Sequence, residues 1–175
     1  MHKKFVLGIA AAAMIAGAGY AVAGEDAKCP PTPPASAQLE QIKKLAGRWE
    51  GTSDHMAEQG PSVVEYKITS GGSAVVETLF PGTPHEMVSI YHDEGGRLAM
   101  THYCMLGNQP TLKLVKSDGN NFKFTLASGI KSLKEMHMHQ LVLTWQDPDH
   151  ITQTWTSYQD GKPQEPSEFK LARVK

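Results

Sequence analysis

From Arg48 to the C-terminus, apolar and polar residues alternate with a period of two, and turns cut this alternation into ten segments. Val64, Tyr66 and Ile68 share one face; so do Phe122, Phe124 and Leu126, and again Leu141, Leu143 and Trp145. The segments fall near 48–54, 62–70, 74–80, 85–92, 97–106, 110–117, 121–127, 135–146, 150–159 and 167–174. Many short strands joined by such turns suggest a barrel or a sandwich. They predict an all-β chain, an antiparallel up-and-down β-barrel of about ten strands.

The connections sort themselves. Ser70-Gly71-Gly72-Ser73, Asp93-Glu94-Gly95-Gly96, Ser117-Asp118-Gly119-Asn120 and Asp147-Pro148-Asp149 are tight turns. The alternate connections, His55 to Pro61, Pro81 to Pro84, Gly107 to Gln109, Ser128 to Lys134 and Asp160 to Pro166, are longer. In an up-and-down barrel the tight turns gather at one end and the long ones at the other. One short helix precedes the strands. Ser36 offers its N-cap, Leu39, Ile42 and Leu45 follow at helical spacing, and Gly47 stops it. It arrives on the tight-turn side, where it can close that end.

The N-terminus belongs to targeting rather than folding. A basic start (Lys3, Lys4), an apolar run from Phe5 to Ala18 and the small residues Ala21-Val22-Ala23 read as a signal peptide over residues 1–23. Residues 24–35 form a proline-rich leader and residues 36–175 a single barrel domain. Export to the periplasm or the medium is the expectation, with no membrane-spanning segment after cleavage. Loss of Lys3 and Lys4 takes the formal charge from −1 to −3. With no basic block, nucleic acid and anionic membranes are not expected partners. Export permits a Cys29–Cys104 disulfide, while Lys28 before Cys29 argues against a lipidation signal.

Gly47-Arg48-Trp49, placed between helix and first strand, resembles the Gly-x-Trp start of the calycin superfamily, which includes lipocalins, fatty-acid-binding proteins and nitrobindin-like barrels. The resemblance implies a tryptophan across the closed end of the barrel, with a basic residue of the last strand stacked on it. Arg173 is in phase with Phe169 and Leu171 and would take that role against Trp49. Nitrobindin-like members hold haem through a histidine near the C-terminus. Here the last histidine is His150 and the final strand has none, so the chain departs from that pattern.

Histidines carry the functional expectation. His55, His85, His102, His137 and His139 all fall at strand ends beside long connections. Glu135, His137 and His139 are in phase with Leu141 and Trp145, and His102 with Leu98, Met100 and Cys104. Read inward, they make an imidazole-rich mouth. The expected function is binding of a small, partly apolar molecule in the lumen by His102, His137 and His139, with His85 and Trp155 beside it. Two alternatives use the same residues. One is a divalent transition-metal or haem site on His102, His137 and His139, with Cys104 or His85 as a further ligand. The other is a small hydrolase or isomerase using Cys104, His102 and an acid. Met87, Met100, Met105, Met136 and Met138 form no Met-x-x-Met run, so they read as core or pocket filling rather than copper ligands.

Overall fold

The computed structural model describes residues 34–54 and 60–175. The signal-peptide reading, most of the leader, Cys29 and His55 lie outside the described residues. Helix α1 (Ala37–Lys43) is followed by β1 (Gly47–Ser53), β2 (Ser62–Thr69), β3 (Ala74–Leu79), β4 (Met87–Glu94), β5 (Arg97–Tyr103) and β6 (Thr111–Ser117). Then come β7 (Asn121–Ser128), β8 (His137–Asp147), β9 (His150–Gln159), the two-residue β10 (Lys162–Pro163) and β11 (Ser167–Arg173).

All pairings are antiparallel. Neighbours in sequence pair from β1 to β9, and β11 lies between β9 and β1, which closes the sheet into a ten-stranded barrel. β10 extends the edge of β9 beyond the reach of β11. Closure leaves no long free edge, the arrangement by which all-β proteins avoid edge-to-edge association. Among the described residues no helix is long and apolar enough to cross a membrane.

The tight-turn end is plugged. The Ser36 hydroxyl accepts a hydrogen bond from the Leu39 amide at 3.0 Å and caps the helix, while its own N–H and O–H donate to the Asp93 carboxylate at 2.7 Å each. Gln41 donates to the Gly119 carbonyl at 2.8 Å, so the helix is tied to two of the hairpin turns it covers. Leu39, Ile42 and Leu45 are buried on the barrel core, and the Trp49 indole donates to the Leu45 carbonyl at 2.8 Å.

Arg173 locks this plug. Its guanidinium lies 4.3 Å over the Trp49 ring and donates to the carbonyls of Ala46 (2.8 Å) and Lys44 (2.7 Å) at the end of the helix. Arg173→Met keeps the apolar stem and removes all three contacts. A loss of about 2 kcal/mol is expected, from one cation–π contact and hydrogen bonds made by a charged donor. Urea unfolding checks this, with the midpoint falling and the slope unchanged.

Candidate functional site

The lumen is apolar at both ends of a polar row. Consecutive strands place Tyr66 opposite Glu77, Glu77 opposite Ser89, and Ser89 opposite His102. Side chains directly opposite on one face are near neighbours, so these four make a ladder across β2 to β5. Tyr91 and, from β9, Gln153 and Trp155 complete it.

Glu77 sits at the centre and is 0% exposed. Its carboxylate accepts from the Tyr66 hydroxyl at 2.7 Å, the Tyr91 hydroxyl at 3.2 Å, and the Gln153 amide, which also donates to the Tyr66 hydroxyl. Ser89, opposite Glu77 on the next strand, also favours the charged form of this carboxyl. The Gln153 amide is oriented from behind, because the Trp155 indole can only donate and does so to Gln153 Oε1 at 2.9 Å. Burial pushes the Glu77 carboxyl above its ordinary range, against the pull of these donors. Burial and the adjacent carboxylate push both phenols well above theirs, so Tyr66 and Tyr91 stay donors.

His102 ends the ladder. The residue is 1% exposed, and burial lowers its pKa to about 4, so the ring is neutral at neutral pH. Its Nδ1 meets the Ser89 hydroxyl at 3.0 Å. Nε2 is buried without a hydrogen-bond partner. His102 also packs on Trp155, with ring centroids 5.0 Å apart.

The His102 side chain also lines a cavity of about 60 Å³, with Leu79, Met87, Met138, Trp155, Ser167 and Phe169. These residues sit at strand ends near the long connections. A larger recess, about 500 Å³, is lined by residues of β1, β8, β9 and β11 and contains none of the buried polar row.

His137 and His139 are not part of this cavity, which corrects the expected convergence of the three histidines. A register shift between Met138 and Gln140 marks a β-bulge in β8. Leu141 still faces Trp155, but beyond the bulge Met138 pairs with Ser157 and points inward, and His137 pairs with Tyr158. Alternation then puts His137 and His139 on the other side of the strand. There they bond to each other (Nε2 to Nδ1, 3.0 Å), His137 Nδ1 bonds to the Glu135 carbonyl at 2.7 Å, and His139 stacks on Tyr158 at 3.8 Å.

The other candidates are also separate. His85 lines a rim recess of about 80 Å³ with Phe80, Pro81 and Thr83. Cys104 is buried, and burial raises its thiol pKa, the opposite of what a nucleophile needs. With His102 Nδ1 on Ser89 and Nε2 unpartnered, neither ring nitrogen engages Cys104. Among the described residues no group of three or more His, Cys, Asp or Glu side chains could hold a metal ion, so the quartet of His102, His137, His139 and Cys104 is not assembled. Haem does not fit either. The cavity is far smaller than a porphyrin, and His150 is an exposed residue paired with Asp147 at 2.8 Å.

The fold and site define a ten-stranded antiparallel barrel with a polar row in its lumen and a small cavity lined by His102, consistent with a calycin-like architecture. Among solved structures the chain is similar to the crystal structure of Rv2717c from M. tuberculosis, at 13% identity and a TM-score of 0.54, covering 81% of this chain and 100% of that one. At that identity the likeness extends to the fold alone. No protein-family model and no curated protein matches the sequence.

Proposed function

We propose that this chain is a binding protein, exported as its N-terminal segment suggests, that holds a small ligand in the cavity beside His102. One observation carries the reading: His102 Nε2 is a buried ring nitrogen with no hydrogen-bond partner, on a side chain that lines a cavity. Leaving such a group unsatisfied costs about 1–3 kcal/mol. A ligand that meets Nε2 recovers that cost, so the site is poised to bind. The neighbouring residues support it. Leu79, Phe169 and Trp155 supply apolar walls, and the Glu77–Ser89 ladder fixes the imidazole. Mouth histidines 137 and 139 play no part in this reading.

The test follows the His102 ring nitrogens and the Trp155 indole N–H by NMR. The probes are a neutral donor (phenol), its apolar counterpart (toluene) and a monovalent metal ion (silver). At least one is expected to move both residues while leaving His150 in place. His102→Phe, which fills the cavity, is expected to abolish the response. Silence at His102 with all three probes overturns the proposal.

A further inference from the structure

We infer that the lumenal cavity is a soft-metal site that takes one Cu(I) ion on His102 Nε2 and the thioethers of Met87 and Met138. This rests on the cavity reading above and names its ligand.

The donor set comes first. Of the side chains lining the cavity, one offers an imidazole nitrogen and two offer thioether sulfurs; none offers a carboxylate or a thiol. Thioethers are soft, neutral ligands that select Cu(I), whereas zinc and magnesium sites draw on thiolates, several imidazoles or carboxylates. Both methionines are aimed at the cavity by strand geometry. Met87 lies two residues from Ser89 on the same face of β4, and Ser89 is directly opposite His102. Met87 is therefore a diagonal neighbour of His102, within reach of a long side chain. Met138 is turned inward by the bulge in β8; with regular alternation from Leu141 it would face out. Bulges commonly re-aim one side chain at a functional site, and this one delivers a sulfur.

The surroundings of the imidazole point the same way. A metal-binding histidine usually gives its other N–H to an outer group that fixes the ring and raises its basicity. His102 Nδ1 pairs with the Ser89 hydroxyl at 3.0 Å, which fixes the ring and leaves Nε2 as the unpartnered nitrogen. Size agrees as well: about 60 Å³ suits an ion with its ligands, and organic ligands ordinarily occupy about 300–1,000 Å³.

The experiment uses the full chain carrying Cys29→Ser and Cys104→Ser, so that thiols do not capture the metal; Cys104→Ala serves if the serine variant does not fold. Silver(I) is the redox-stable probe for NMR. Cu(I) affinity is read by competition against a chromophoric chelator under anaerobic reducing conditions. One equivalent is expected to bind, shifting His102 Nε2 and the terminal methyl groups of Met87 and Met138. Met87→Leu with Met138→Leu, a volume-conserving pair, is expected to weaken Cu(I) at least 100-fold with the fold intact. His137→Gln with His139→Gln is expected to leave it unchanged, and Zn(II) is expected not to compete. Equal affinity in the methionine variant, or shifts centred on His137 and His139, overturns the inference. If phenol moves the cavity residues and silver does not, the metal assignment falls and the binding cavity stands; if neither does, both fall.

Discussion

Replacing Glu77 with alanine is expected to cost the barrel about 3–5 kcal/mol, because several buried donors lose the acceptor they share. The side chain is 0% exposed and is the common acceptor for three donors on three other strands. Its removal leaves the phenols of Tyr66 and Tyr91 and one amide hydrogen of Gln153 without their shared acceptor. Each unsatisfied buried group costs about 1–3 kcal/mol, and a water entering the vacated space recovers part of the sum. Urea unfolding gives the energy, and the melting temperature is expected to fall by roughly 10 °C or more. A loss under about 1 kcal/mol would show that the row is not coupled through this carboxylate.

The conservative variant Glu77→Gln isolates the charge. Burial holds the folded carboxyl above its unfolded pKa, so the folded state keeps its proton to higher pH. The associated stability is complete below the unfolded value and is lost as pH rises through the folded one. Wild type should therefore lose stability relative to Glu77→Gln across that window, starting from the ordinary glutamate range. The difference between the two pH profiles is the quantity to measure, since it removes contributions from every other titrating group.

The sequence announced the barrel because turn chemistry and alternation are local. Gly71-Gly72, Gly95-Gly96 and Asp118-Gly119 force tight reversals, and the strands on either side fall where the alternation puts them. Much of the polar row was legible by the same logic. Val75, Glu77 and Leu79 share a face, as do Ile151, Gln153 and Trp155, so an acid and an amide lie in phase with inward apolar residues. Tight hairpins also fix register. The turn at Ser70–Ser73 sets Tyr66 opposite Glu77, and the turn at Asp93–Gly96 sets Ser89 opposite His102. Only the rung from Glu77 to Ser89 depends on a longer connection, whose length does not specify pairing.

What stayed hidden was the bulge in β8. His137, His139 and Leu141 look in phase on paper, and no glycine or proline breaks the run. The extra residue is visible only in the ladder with β9, where Met138 meets Ser157 but Gln140 meets Thr156. One inserted residue exchanged the two faces. It removed two histidines from the lumen and admitted a methionine, so the parity argument held for His102 and failed for its expected companions.

Gly51→Ala is expected to destabilise the barrel by about 3 kcal/mol or more, at the upper end of what forced overpacking costs. β1 is paired on both sides, and Gly51 lies opposite Ser62 on one neighbour and Leu171 on the other. A Cβ built on Gly51 would lie 1.8 Å from the Lys170 carbonyl oxygen and 2.8 Å from its carbon. These are backbone atoms, so no rotamer change relieves the clash, and β1 and β11 must part. Glycine inside a strand often marks such a close approach. The seam that opens carries Trp49 opposite Arg173 and Ser53 opposite Phe169, so both the plug and a wall of the His102 cavity move with it. Gly95→Ala is the control. Its Cβ would meet nothing within 4 Å, but its φ of +57° strains an alanine, and a cost of about 1 kcal/mol is expected. Hydrogen exchange separates the two mechanisms. Gly51→Ala should lose amide protection along β1 and β11, while Gly95→Ala should lose it only beside its own hairpin; a similar pattern in both variants would mean that the β1–β11 approach tolerates a methyl group.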